Sequence, residues 1–151
     1  METRTSDEQG IEPTTGELLS GIGRLYRTLF RAADYGMPQG CIRTLDALTK
    51  KPCRVTELVY HTDLTQPRVT MILQELEERG LAERRRSATD RRVVEACITP
   101  AGRELMERGQ QRMTTALIDA LQANTEDPER AVTLARDAIR TLVQALAAEG
   151  R

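Results

Sequence analysis

Residues 65–98 read TQPRVTMILQELEERGLAERRRSATDRRVVEACI, and the spacing of apolar side chains changes partway along them. Val69, Ile72, Leu73 and Leu76 recur every three to four residues, as on a helix with one buried stripe. Val94, Ala96 and Ile98 alternate with Val93, Glu95 and Cys97, as along a strand. Thr65 is suited to cap the helix, because its hydroxyl can accept an orphan backbone N–H, and Pro67 fits the first turn, where no donor is missed. Gly80 supplies a left-handed stop. Leu81 to Arg86 then pairs with the later strand across a turn near Ser87 to Asp90. The segment is therefore predicted to be a helix followed by a β-hairpin tipped with arginine.

Gln66, Arg68, Thr70 and Gln74 fall largely on the side of this helix away from the apolar stripe. Between Arg79 and Arg92 the arginines at 79, 84, 85, 86, 91 and 92 face only Glu83 and Asp90, a local balance of +4 in a chain whose net charge is -1. The first seventeen residues run the other way, with Glu2, Asp7, Glu8, Glu12 and Glu17 against Arg4 alone. An acidic opening thus offsets a basic hairpin in the total without having to lie near it. A helix fits the wide groove of duplex DNA and an extended arginine fits the narrow one, so the two elements can address both grooves.

Working outward, residues 1–15 are polar and read as a disordered tail, and 16–151 as a single domain. Leu18, Ile22, Leu25 and Leu29, with Leu19, Tyr26, Phe30 and Ala33 beside them, give a first helix whose apolar face is broad enough to be buried on two sides. Met37-Pro38 opens a second helix carrying Ile42, Leu45 and Leu48, which Lys50-Lys51-Pro52 ends. A short helix from Val55 to His61 and a turn through Asp63 then complete a helix-turn-helix with the segment at Thr65. Downstream, Thr99-Pro100 starts a long helix with Leu105, Met106, Met113, Leu117 and Leu121. Asp127-Pro128 starts a last one with Leu134, Ala138, Ile139, Leu142, Val143 and Leu146. The fold class is mainly α with a small β-hairpin wing.

Several function classes fall away. Ser6, Ser20 and Ser87 are the only serines and none sits in a glycine-flanked nucleophile turn; no phosphate-binding glycine loop is present either, so the chain is not expected to be an enzyme or to need a cofactor. His61 is the single histidine, with no cluster of acids or cysteines around it in sequence, and no metal site is expected. Cys41, Cys53 and Cys97 are odd in number and widely spaced, which fits reduced thiols. No apolar run approaches the roughly 18 residues needed to cross a bilayer. The opening residues also lack the basic start and apolar middle of a secretory signal, so a cytoplasmic location is expected.

The order helix, helix, helix-turn-helix, arginine hairpin, long helix, helix resembles the MarR family of winged helix-turn-helix transcriptional regulators. The resemblance runs from about Leu18 to Leu146. It is carried by Leu76-Glu77-Glu78-Arg79-Gly80-Leu81, Glu83-Arg84, Asp90-Arg91-Arg92 and Ile98-Thr99-Pro100-Ala101-Gly102-Arg103. It implies a winged helix-turn-helix lobe over about 38–99 and dimerisation helices over about 17–35 and 100–147. It also implies a homodimer on a pseudo-palindromic operator, with Arg92 as a minor-groove finger held by Asp90, and Gln66, Pro67, Arg68 and Thr70 at the major groove. Such regulators are often repressors released by a small lipophilic or phenolic effector or by an oxidant. Arg24, Arg27, Arg31, Tyr35, Met37 and Cys41 are the candidate effector residues here.

Physical chemistry distributes the remaining roles. Thr65, Arg84, Arg85 and Arg86 are candidates for phosphate contacts that fix register, with Arg91 beside them in the wing. Arg68 can read guanine through two parallel bonds, and Gln66 can read adenine; Gln74 extends the same face. Arg92 would sense groove width, since a narrow A·T-rich minor groove concentrates negative potential. A neighbouring arginine would make Cys41 a reactive thiol, the alternative being a buried inert one. The competing function is a winged-helix protein-interaction module without a DNA role, which would show neither a specific footprint nor marked salt dependence.

Overall fold

The computed structural model describes residues 5–149, with side chains described from Gly10 onward. Its elements are α1 (Thr5–Ala33), α2 (Gln39–Lys50), α3 (Val55–Thr62), α4 (Gln66–Glu78), β1 (Ala82–Arg86), β2 (Val94–Ile98), α5 (Pro100–Asn124) and α6 (Pro128–Glu149). The chain packs as two compact units, one ending at Arg112 and one beginning at Met113. The division follows how burial is distributed. The apolar core lies within the first unit, whereas α6 has no buried residue.

Helix α1 begins at Thr5, whereas the sequence predicts a disordered tail as far as Thr15. Residues 1–4 of that tail lie outside the described residues. The hydroxyls of Thr14 and Thr15 bond back to the carbonyls of Gly10 and Ile11, so these polar side chains follow the helical path across Pro13. The helix stops where Asp34 and then Gly36 take positive φ. Pro38 stands at the N-cap of α2, one position earlier than a first-turn proline, and its carbonyl accepts the N–H groups of Cys41 and Ile42.

Cys41, Ile42, Leu45 and Leu48 of α2, Leu58 of α3 and Val69, Ile72, Leu73 and Leu76 of α4 make the buried centre. The turn between α3 and α4 depends on Asp63, which adopts the left-handed region at φ 55° while its N–H caps Val59. Thr62 is buried just before it, its hydroxyl satisfied by the Leu58 carbonyl at 2.6 Å. That bond removes the cost of placing a polar side chain in the core.

Helix α4 ends as the glycine at position 80 predicts. Gly80 takes φ +71°, its N–H reaches the Glu77 carbonyl, and the Leu81 N–H reaches the Leu76 carbonyl at 2.8 Å, the paired bonds of a Schellman cap. The chain turns directly into β1, which pairs antiparallel with β2 so that Arg84 faces Ala96 and Arg86 faces Val94. Cys53, between α2 and α3, is more than a connecting residue. It is buried, and it exchanges backbone bonds of 3.0 and 2.7 Å with Ala96, forming an isolated bridge on the far side of β2.

Helix α5 starts as its Thr-Pro sequence predicts. The Thr99 hydroxyl accepts the Gly102 N–H at 3.1 Å and donates to the Gly80 carbonyl at 2.6 Å, so one side chain caps α5 and closes the end of α4. Two buried glycines let α5 pack close, Gly102 against Leu81 and Gly109 against the Tyr35 ring. Arg112 adds bonds to the carbonyls of Ala33 and Asp34. In the second unit Asp127 caps α6 through the Arg130 N–H.

Candidate nucleic-acid interface

Helix α4 buries Val69, Ile72, Leu73 and Leu76 and turns Gln66, Pro67, Arg68, Thr70 and Gln74 to solvent. Thr65 holds the N-cap position in extended backbone, but its side chain makes no cap bond. The predicted cap is therefore positional only, and the hydroxyl is left to face outward. Thr70 bonds back to the Gln66 carbonyl and Gln74 reaches Glu78 at 3.5 Å. Arg68 forms no ion pair among the described residues, although its charge is felt at Cys41.

The wing places its arginines unequally. Arg92 sits at the hairpin tip with its side chain 91 % exposed, and Asp90 Oδ1 accepts both its backbone N–H, at 3.1 Å, and its Nε–H, at 3.3 Å. The turn is braced from inside by Ser87, whose N–H reaches the Val93 carbonyl and whose buried hydroxyl meets Thr89. Arg86 donates to the Arg91 carbonyl at 2.9 Å, and Arg91 itself is exposed.

Arg84 and Arg85 are less available than the sequence reading supposes. Arg84 is paired with Glu77 of α4, and Arg85 with its neighbour Glu83. The first pair crosses from the wing to the helix, so α4 and β1 are joined by charge as well as by the turn at Gly80. Glu77 is the residue that residue-by-residue reading missed. A carboxylate on the helix flank seven positions before an arginine shows no helical or strand period, and only the tight turn between them brings the two together.

The proposed effector residues do not come together as one group. Arg24, Arg27 and Arg31 are exposed on α1, while Tyr35, Met37 and Cys41 are buried in the core. Arg27 and Arg31 do share a cavity of about 360 Å³ with Phe30 and Gln39. Cys41 points toward α4, its Sγ 3.7 Å from Glu75 Oε2, rather than toward α1. Burial, reinforced by Glu75, pushes its thiol up, and the opposing pull of Arg68 and Arg79 is smaller. The arginines that act on Cys41 belong to α4 and its cap, not to α1, and their effect is outweighed. Burial likewise raises the thiols of Cys53 and the partly exposed Cys97.

Among the described residues, no group of three or more His, Cys, Asp and Glu side chains is placed to hold a metal ion, and no helix is long and apolar enough to cross a membrane.

The resemblance read from the sequence is matched by comparison with known proteins. The MarR family model matches residues 35–93, which run from the turn between α1 and α2 to the wing. No curated protein matches the sequence. Among solved structures, a MarR family protein from Bacillus stearothermophilus superposes with a TM-score of 0.78 at 18% identity, covering 93% of this chain and 97% of its own. The transcriptional regulator BldR from Sulfolobus solfataricus gives 0.57 at 21%, over 92% and 99% of the two chains. A mutant of MepR from S. aureus, solved bound to an oligodeoxyribonucleotide, gives 0.62 at 17%, over 87% and 97%.

Proposed function

From a chain whose residues 35–93 match the MarR family and whose fold is that of MarR-family regulators, we infer a sequence-specific, DNA-binding transcriptional regulator. The observation that carries this reading is the pairing, within one compact unit, of an outward polar face on α4 with an arginine finger that a carboxylate holds at the wing tip. Base edges are read in the major groove by such a helix, while an arginine in the minor groove responds to its width. Arg91 and Arg92 supply charge for the phosphate backbone, and Arg84, Arg85 and Arg86 join once their present partners exchange for phosphate. MepR, of the same fold, is seen with an oligodeoxyribonucleotide.

The regulator works as a homodimer on a pseudo-palindromic operator. Leu18, Leu19, Ile22, Leu25 and Tyr26 on α1 are exposed apolar side chains, and α6 separately exposes Leu134, Ile139, Leu142, Val143 and Leu146. Contiguous apolar faces of this kind mark protein contact sites. Two-fold symmetry would set the recognition helices on half-sites about 34–36 Å apart. The assembly acts in the cytoplasm as a repressor, and a small lipophilic or phenolic effector releases it. The cavity at Arg27, Phe30, Arg31 and Gln39 is the site this chain offers for an anionic group on that effector.

Selection of bound fragments from random duplexes by the full chain tests the core of this reading, with sedimentation run alongside. Enrichment of an inverted repeat and a mass of two chains are expected. A protein-interaction module would enrich nothing and bind DNA with little salt dependence.

A further inference from the structure

The buried stripe of α4 identifies which side chains stand at the centre of its outer face. At about 100° per residue, Pro67, Met71 and Gln74 lie roughly 150–170° from the middle of the stripe, whereas Gln66 and Arg68 lie only about 70–90° away, on the two flanks. Met71 is accordingly 61 % exposed, although it follows directly on the polar run that drew attention in the sequence.

The central strip of this face is poor in unused polar groups. The Thr70 hydroxyl is committed to the Gln66 carbonyl. The Gln74 amide leans toward Glu78. What remains free beside them is the Pro67 ring and, one turn later, the Met71 thioether. A single exposed methionine would need no explanation elsewhere on a surface. Here it stands in the middle of the face that the regulator reading turns toward base edges, one turn from a second apolar group. In the major groove the one apolar group that distinguishes a base pair is the C5-methyl of thymine.

We propose that Met71, seated beside Pro67, is a specificity-determining residue that packs on the C5-methyl of a thymine in each half-site. The polar readers Gln66 and Arg68 flank this contact. Methionine suits the task because its unbranched, polarisable side chain adapts to a methyl group whose position shifts with local groove geometry. The inference rests on the DNA-binding reading above and adds to it recognition of the thymine methyl, which no hydrogen bond can supply.

The test uses duplexes enriched from a random pool by the full-length wild-type chain. Each thymine of the enriched half-site is replaced singly by deoxyuridine, which lacks only the methyl group. At one or two positions deoxyuridine should weaken wild-type binding about three- to tenfold, the effect expected for one lost apolar contact. Met71→Ala should bind the thymine and deoxyuridine duplexes within about twofold of each other, Met71→Leu should retain most of the penalty, and Arg92→Ala should retain all of it. The position is exposed, so Met71→Ala should keep the wild-type unfolding midpoint. Equal wild-type affinity for every deoxyuridine duplex, or an undiminished penalty in Met71→Ala, overturns the proposal while leaving DNA binding intact. Failure to enrich any sequence overturns the DNA reading itself, and is seen before any variant is made.

Discussion

Asp90 Oδ1 accepts two hydrogen bonds from one residue, the backbone N–H of Arg92 at 3.1 Å and its Nε–H at 3.3 Å. One oxygen therefore fixes both the local path of the turn and the direction in which the arginine leaves it. The Arg92 side chain is 91 % exposed, so the pair contributes little to folding; its consequence is orientation. An arginine held near its working direction loses less side-chain freedom on binding.

Asp90→Ala separates orientation from charge, because it makes the wing more positive while releasing Arg92. Simple electrostatics predicts tighter binding to any DNA; orientation predicts weaker binding to the operator. The expected outcome is a loss of about three- to tenfold on the selected operator with equal or stronger binding to random duplex, read by competition titration. A uniform gain on both would show that Asp90 does not position Arg92.

Glu77 restrains Arg84 across the junction of helix and wing. Glu77→Gln keeps the shape of the side chain and removes its charge, so Arg84 becomes available to phosphate. Operator affinity should rise at low salt, and the slope of log affinity against log salt should steepen by up to about 0.9, the increment for one phosphate contact. Arg84→Ala should change the slope less than Arg91→Ala, because Arg84 is already partly neutralised. Stability should move by under about 1 kcal/mol, since the pair is partly exposed and screened by solvent. A slope unchanged in Glu77→Gln would remove Arg84 from the interface.

Helix α4 and the β-hairpin are legible in sequence because each is marked locally. Thr65, Pro67 and Gly80 punctuate α4, the Val69–Leu76 stripe has one period, and Val94–Ile98 has another. Thr99-Pro100 and Asp127-Pro128 likewise mark α5 and α6 by cap chemistry. What escapes a linear reading is contact between segments. The bridge from Cys53 to Ala96 is too short to show a period, the Arg84–Glu77 pair depends on the turn at Gly80, and the turning of Cys41 toward Glu75 depends on how α2 crosses α4. The helical course of residues 5–15 is hidden for a different reason: Gly10, Pro13 and a polar composition argue locally against a helix that the backbone nevertheless makes.

Two glycines decide how close α5 approaches its unit. A Cβ at Gly102 would lie 2.3 Å from the Leu81 carbonyl oxygen, and one at Gly109 would lie 1.9 Å from Tyr35 Cε1. Alanine at either position should cost about 1–3 kcal/mol by overpacking, measured by urea unfolding. The two should respond differently to a second change. Tyr35→Ala should relieve Gly109→Ala, so that the double variant loses less than the sum, whereas at Gly102 the Leu81 backbone carbonyl is the nearest obstacle, and trimming Ile98, whose Cγ1 would lie 2.7 Å away, relieves only part of the clash. Strict additivity at Gly109 and Tyr35 would mean that α5 moves away as a whole instead of meeting the ring.

The buried thiols set the direction of the alkaline limit. Burial first, and then Glu75, raises Cys41; burial and Glu57 raise Cys53; burial and Asp46 raise the Tyr35 hydroxyl. Each folded-state pKa thus lies above its unfolded value. The folded chain keeps protons that the unfolded chain releases, so this contribution is complete below the unfolded pKa and is lost as pH rises through the folded one. For the thiols the decline should begin near pH 8.5, at no more than about 1.4 kcal/mol per pH unit for each group. Urea midpoints should fall as the pH rises above about 8.5, and the fall should be shallower in a Cys41→Ala, Cys53→Ala variant. The same protonated, buried state predicts that thiol reagents label partly exposed Cys97 first and Cys41 only through unfolding. Rapid labelling of Cys41 in the native protein, or an alkaline slope untouched by the double substitution, would show that these thiols are not held neutral by the core.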